Sequence, residues 1–157
     1  MATLAPRLSD YLDGHSVHYQ TIHHMRDYTA QQTAADTGTQ GIEFAKTVVV
    51  KAEEGYVMAV LPAHHRVDLH KLGTVMGVSE IRLAAEDEIA MLCPDCAVGA
   101  EPPFGNLYQV PVYVSDDITR DETITFNAGT HEDVVRMKYR DYEDLVHPRV
   151  ADFAKRP

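Results

Sequence analysis

Lys46 stands in the run FAKTVVVK, residues 44–51, and its place invites chemistry. Strand parity puts it in line with Phe44, Val48 and Val50, whereas Lys51 falls on the other face with Ala45, Thr47 and Val49. An ammonium on an apolar face is costly without a partner. Either its methylenes lie along Phe44 and carry the head to water, or it is a fixed cation in a pocket, suited to a phosphate or a carboxylate. A second feature is GAEPPFG, residues 99–105. Two glycines around adjacent prolines make a rigid loop that can present backbone N–H groups to a carbonyl oxygen gaining negative charge; the same composition also serves a plain tight connection. The third is FNAGTHEDVVRM, where Gly129 and His131 precede a strand-like run. A lone histidine after a turn is a surface or capping residue or a member of a site.

Cys93 and Cys96 form one C-x-x-C. Zinc needs four ligands, and among nine histidines no H-x-x-x-H or second cysteine pair completes a set, so no metal and no cofactor is expected. The doublets His23–His24 and His64–His65 offer at most one residue each to any site, because strand neighbours face opposite ways; solvent exposure is the expectation for both. The chain contains no G-x-S-x-G, G-x-x-x-x-G-K-[ST], H-E-x-x-H or G-x-G-x-x-G, which removes support from nucleophile-elbow hydrolases, P-loop enzymes, zincins and Rossmann dehydrogenases.

The elements that must position these residues are legible in outline. AKTVVVKAEEGYVMAVLP predicts a β-hairpin turning at AEEG, with Gly55 free to take φ > 0. Helices are predicted over PRLSDYLDG, over about Ala30 to Asp36, over VDLHKLGTVMG with Asp68 near its N-terminus, and over AEDEIAMLC with acidic residues in the first turn. Strands are predicted at YQTIHH, EIRLA, LYQVPVYVS, ETITFNAG and EDVVRMKY, the third with Pro111 implying an edge or a bulge. The end, DYEDLVHPRVADFA, reads as helical segments interrupted at Pro148. Strands and helices without regular βαβ alternation predict an α+β fold with a mixed, mainly antiparallel sheet.

The 157 residues suit a single domain with its own core. Hydrophobic runs stay strand-sized, and MATLAPRLSDYLDG lacks the basic and apolar regions of a secretory signal, so a cytoplasmic location without a membrane partner is expected. Two cysteines are too few for a disulfide scaffold. Fourteen basic against 24 acidic residues leave a net charge of −10, which opposes extended contact with nucleic-acid backbone; such a partner must be gripped locally.

Taken in order, Lys46 in FAKTVVVK, GAEPPFG, VPVYVSDD and FNAGTHEDVVRM resemble the YbaK/ProX family of aminoacyl-tRNA deacylases, related to the editing domain inserted in bacterial prolyl-tRNA synthetases. The likeness runs from about Thr21 to Leu145. It implies a barrel-like mixed sheet with surrounding helices, and hydrolysis of the ester between a wrong amino acid and the end of its tRNA. Lys46 then matches the family's strand lysine as substrate anchor. Gly99 and Pro103 match its G-x-x-x-P loop, whose amides polarise the carbonyl. Gly129 and His131 match its A-G-x-H segment, and Ala100, Phe104 and Gly105 join them as substrate-binding residues. The chain departs from many relatives by carrying Ala100 and Pro102 inside the loop. The implied partners are the acceptor end of a mischarged tRNA, gripped by cations drawn from Arg26, Lys46, Arg66 and Lys71, and in some settings an aminoacyl-tRNA synthetase. The alternative is a non-catalytic module that binds an amino acid, a nucleotide or a protein on the same fold.

Overall fold

In the computed structural model of the chain, the described residues are 5–23, 44–53 and 55–156. The helix expected at Ala30 to Asp36 lies outside them, as do His24 and Arg26.

β-Branched alternation makes the centre of the fold. Strand β2 (Ala45–Ala52) pairs antiparallel with β3 (Gly55–Pro62) along its whole length, from Ala45 opposite Pro62 to Ala52 opposite Gly55. Three further strands complete this sheet: β5 (Ile81–Leu83) beside β2, then β6 (Val112–Ser115) and β9 (Arg149–Ala151) beyond β3, in the order β5-β2-β3-β6-β9. The pairings of β3 with β6 and of β6 with β9 are parallel, so the sheet is mixed. A second, three-stranded antiparallel sheet has the order β1-β8-β7, from β1 (Tyr19–His23), β7 (Thr123–Asn127) and β8 (Asp133–Lys138). An isolated bridge between Phe44 and Thr125 joins the two sheets at the start of β2. Among the described residues the fold is α+β with mainly antiparallel sheets that do not close into a barrel. Strand β4 (Arg66–Val67) pairs with β10 (Ala154–Lys155), which ties the end of the chain to the segment after β3.

The helices follow their local signals. Helix α1 (Pro6–Gly14) starts with Pro at its first position and buries Leu8 and Leu12. In α2 (Leu69–Met76) the Asp68 carboxylate accepts the Lys71 N–H at 3.1 Å, and Gly77 ends the helix at φ +75°. Helix α3 (Glu86–Leu92) folds Glu88 back onto the Ala85 N–H at 2.8 Å, half of a capping box because Ala85 has no side-chain acceptor. Helix α4 is Tyr139–Val146. No helix among the described residues is long and apolar enough to cross a membrane.

Two apolar layers result. Ala45, Val49, Met58, Val60, Val112 and Val114 of the five-stranded sheet face Ile124, Phe126, Val135 and Met137 of the other, with α1 and Tyr142 of α4 in the same core. The opposite face of β2 and β3, from Val50, Val57, Ala59 and Leu61, packs on Leu72 of α2 and on Phe153. Parity therefore sends Lys46, opposite Leu61, to the second layer.

Two expectations need correction. Strand β6 lies inside the sheet, between β3 and β9, and is not an edge. Pro111 is tolerated because it precedes the strand and contributes only its carbonyl, which accepts the Met58 N–H at 2.9 Å. After Pro148 the chain forms β9 where a helical segment was expected, since a parallel partner in β6 satisfies the backbone there.

Candidate functional site

The loop at 97–105 and the segment at 128–131 meet through main-chain hydrogen bonds. The Gly129 N–H donates to Ala100 O at 2.8 Å, and the Ala97 N–H donates to Gly129 O at 2.8 Å. His131, half-buried, donates from Nε2 to Val98 O at 2.9 Å, because a carbonyl can only accept. Gly99 takes φ +91°, and a Cβ there would lie 3.3 Å from His131 Cε1. Gly129 takes φ +98°, and a Cβ there would lie 2.6 Å from the Cβ of Ala5 and 2.9 Å from its nitrogen. Both motifs thus use glycine for a left-handed backbone and for close approach.

The downstream half of the loop is anchored in the core. Phe104 is fully buried among Tyr11, Phe126 and Tyr142, with ring centroids 6.2, 5.6 and 5.3 Å away; burying a side chain of this size stabilises by about 2–3 kcal/mol. Tyr142 donates its hydroxyl to Pro103 O at 2.7 Å, a buried bond of about 1 kcal/mol net. At Gly105 a Cβ would sit 2.1 Å from Val110 O, so only glycine fits where the chain turns back.

The amides of this loop are largely committed. Gly99 donates to Glu101 Oε2 at 2.5 Å, Ala100 to Ala97 O at 3.0 Å and Phe104 to Pro102 O at 2.8 Å. Pro102 and Pro103 have no N–H. Glu101 is 3% exposed. Burial pushes its carboxyl above the usual carboxylate range, opposed by the amides of Glu101, Gly99 and Ala100 that favour the charged form. Sequence reasoning passed over Glu101 and Tyr142; the one signal for the first was an acidic residue inside a Gly/Pro loop.

Lys46 sits apart from this junction. It is half-buried on the second apolar layer, and no hydrogen bond or ion pair among the described residues joins it to the loop. Burial depresses its pKa, and the Arg66 guanidinium adds to the depression. His65 is also nearby: burial first and His64 second lower its pKa, with Lys46 contributing in the same direction. At 4% exposure His65 corrects the expectation of a solvated doublet. Its Nδ1 lies 3.7 Å from the buried Asp117, which also accepts from Arg156 Nη2 at 2.9 Å and from Ser115 Oγ at 3.4 Å. His23 of the other doublet pairs through Nδ1 with Asp133 at 2.9 Å. Of the expected cations, Lys71 is within 3.5 Å of Asp152, while Arg66 lies across from Lys155 in the β4–β10 register. Lys155, brought in from the end of the chain, was not legible as part of this group.

The C-x-x-C is a packed corner. Cys93 is buried, and Cys96 contacts the Tyr108 hydroxyl at 3.2 Å, which itself donates to Asp95 Oδ1 at 2.8 Å. Burial pushes both thiols up to about 12. Among the described residues no group of three or more His, Cys, Asp or Glu could hold a metal ion.

Comparison with known proteins adds the following. A family model described as the aminoacyl-tRNA editing domain matches residues 24–145. The multifunctional Ser/Thr-tRNA deacylase ProXp-y of Escherichia coli (strain K12) is 27% identical over 155 residues, covering 95% of this chain and 92% of that protein. The proline–tRNA ligase of Staphylococcus aureus (strain Newman) is 36% identical over 74 residues, which are 47% of this chain and 12% of the ligase. A crystal structure described as a candidate trans-editing enzyme for prolyl-tRNA synthetase superposes with a TM-score of 0.86 at 24% identity, covering 100% of this chain and 99% of that one. At that identity the superposition speaks to the fold.

Proposed function

The chain belongs to the aminoacyl-tRNA editing domain family, and from that premise we propose that it is a deacylase acting in trans, hydrolysing the ester that joins a wrong amino acid to the 3′ end of its tRNA. The observation that carries this reading is the docking of the Gly99–Pro103 loop on the Gly129–His131 segment, which builds a rigid main-chain surface beside a histidine. The E. coli relative, matched over nearly its whole length and named a Ser/Thr-tRNA deacylase, supports the same reaction class.

The chemistry is undemanding. Water attacks the ester carbonyl carbon, the oxygen becomes negative, and the bond to the ribose oxygen breaks as that oxygen takes a proton. An aminoacyl ester is labile, so orientation and charge stabilisation suffice without a nucleophilic triad. Amides of the Gly99–Gly105 loop polarise the carbonyl. With the Gly99, Ala100 and Phe104 amides committed, this task falls to the Gly105 N–H, for which the described residues provide no acceptor. Lys46 anchors a phosphate or the terminal adenosine, and an anion there favours the charged form that burial disfavours. Ala100, Phe104 and Gly129, all buried, hold the loop in shape from beneath, and His131 contacts the aminoacyl group.

The partner is the single-stranded acceptor end of tRNA, held by few phosphate contacts through Lys46, Arg66 and Lys155. A net charge of −10 makes that binding weak and salt-sensitive, and a synthetase can assist delivery. A deacylation panel of mischarged tRNAs, run with wild type and Lys46→Ala, tests the reading. Turnover of at least one substrate that falls with the substitution is expected. The commitment of the Gly99 amide to Glu101 favours one rival, a binding module on the same fold; absence of turnover across the whole panel would establish that rival.

A further inference from the structure

One peptide group joins Glu101 to His131. The bond between Val98 and Gly99 carries the N–H that donates to Glu101 Oε2 at 2.5 Å and the C=O that accepts from His131 Nε2 at 2.9 Å. In a trans peptide these two groups point in opposite directions. Once the N–H is claimed by Glu101, the carbonyl must face His131. Gly99, at φ +91°, removes the steric barrier that would otherwise oppose a flip of this peptide, so its orientation needs an external hold. Flipped, the peptide would offer His131 an N–H, and the ring would have to answer with a lone pair on Nε2.

A carboxylate accepting from an amide N–H also pushes electron density onto the amide oxygen. Such chains strengthen each bond by about 10–30% in condensed-phase estimates. Glu101 meets the requirement for a fixed acceptor: it is 3% exposed and accepts from the backbone of its own loop. His131 Nδ1 is left without a hydrogen-bond partner among the described residues and is not among the buried orphaned atoms.

We propose that Glu101 is a positioning residue that sets the Nε2–H tautomer of His131 through the Val98–Gly99 peptide, leaving Nδ1 as an acceptor for a hydrogen-bond donor on the bound aminoacyl ester. The catalytic part of this proposal rests on the deacylase reading of the same site; the tautomer does not.

The test is nitrogen-15 NMR of the His131 ring in the free protein, at a pH where the ring is neutral, for wild type, Glu101→Gln and Glu101→Ala. Wild type and Glu101→Gln, whose amide oxygen can still accept the Gly99 N–H, are expected to show protonated Nε2 and bare Nδ1. Glu101→Ala is expected to show a mixture. On whichever mischarged tRNA the panel finds, kcat of Glu101→Ala should fall roughly ten- to a hundredfold with KM little changed, and Glu101→Gln should recover most of it. A protonated Nδ1 in wild type overturns the proposal, as does a folded Glu101→Ala that keeps a pure Nε2–H ring. Should Glu101→Ala not fold, Glu101→Leu, which fills a similar volume without an acceptor, takes its place with the same expected mixture and the same overturning result. A panel without turnover removes the deacylase reading and leaves the spectra to judge the tautomer.

Discussion

The His131 ring lies over Gly99 so closely that a Cβ at Gly99 would stand 3.3 Å from Cε1. Gly99→Ala therefore meets both a backbone at φ +91° and a ring that must give way. A cost of about 1–2 kcal/mol is expected from the φ alone. Gly129→Ala should cost more, because its Cβ would meet the backbone nitrogen of Ala5 at 2.9 Å, and main chain does not yield as a ring edge does. Urea unfolding of both variants checks the order; equal stability of the two would contradict the packing described.

Lys46→Met should lose deacylation while gaining stability at neutral pH. Burial lowers the lysine pKa in the folded chain, so the unfolded chain holds the proton more tightly. Wild-type stability therefore rises with pH between the lowered value and the ordinary ~10.4. The advantage of the variant is expected to be largest near pH 7 and to shrink toward pH 10, read as the difference in urea midpoint between the two proteins. A variant less stable than wild type at pH 7 counts against a costly buried ammonium.

Cys93 and Cys96 should be poor nucleophiles. Thiols raised from 9.0 to about 12 hold roughly a thousandfold less thiolate at pH 8. Native alkylation by iodoacetamide is expected to be slower by about that factor than in urea, and Cys96→Ser should keep deacylation. The same shifts carry a stability consequence: thiols held protonated by folding stabilise below their ordinary pKa, and that stability is lost as pH rises above about 9. Fast native alkylation of either residue would sink this account.

Asp117 holds the end of the chain to the interior. Its carboxylate takes Arg156 at 2.9 Å and lies 3.7 Å from His65. Asp117→Ala should destabilise by about 1 kcal/mol, because a buried carboxylate and its hydrogen bonds are lost while the Arg156 guanidinium, 66% exposed, stays solvated. Asp117→Asn should cost less, since the amide oxygen still accepts from Arg156. Thermal and urea unfolding give both values, and a change under about 0.5 kcal/mol for Asp117→Ala would show that the network is not structural.

By itself the sequence determined whatever depends on neighbours along the chain. β-Branched alternation from Ala45 to Pro62 set the hairpin and its register, since a one-residue slip would bury Lys51 in place of Val50. Asp68, Glu88 and Gly77 marked helix ends through local caps. The order of Lys46, GAEPPFG and FNAGTHEDVVRM carried the family. Only the tertiary structure decided which of these groups meet. It joined the Val98 carbonyl to His131, kept Lys46 on the opposite layer of the sheet, brought Tyr142 to Pro103 and Lys155 to Arg66, and turned Glu101 onto the amide of Gly99. The physical reason is that propensity and capping act over a few residues, whereas a buried polar side chain takes whichever partner packing brings within about 3 Å.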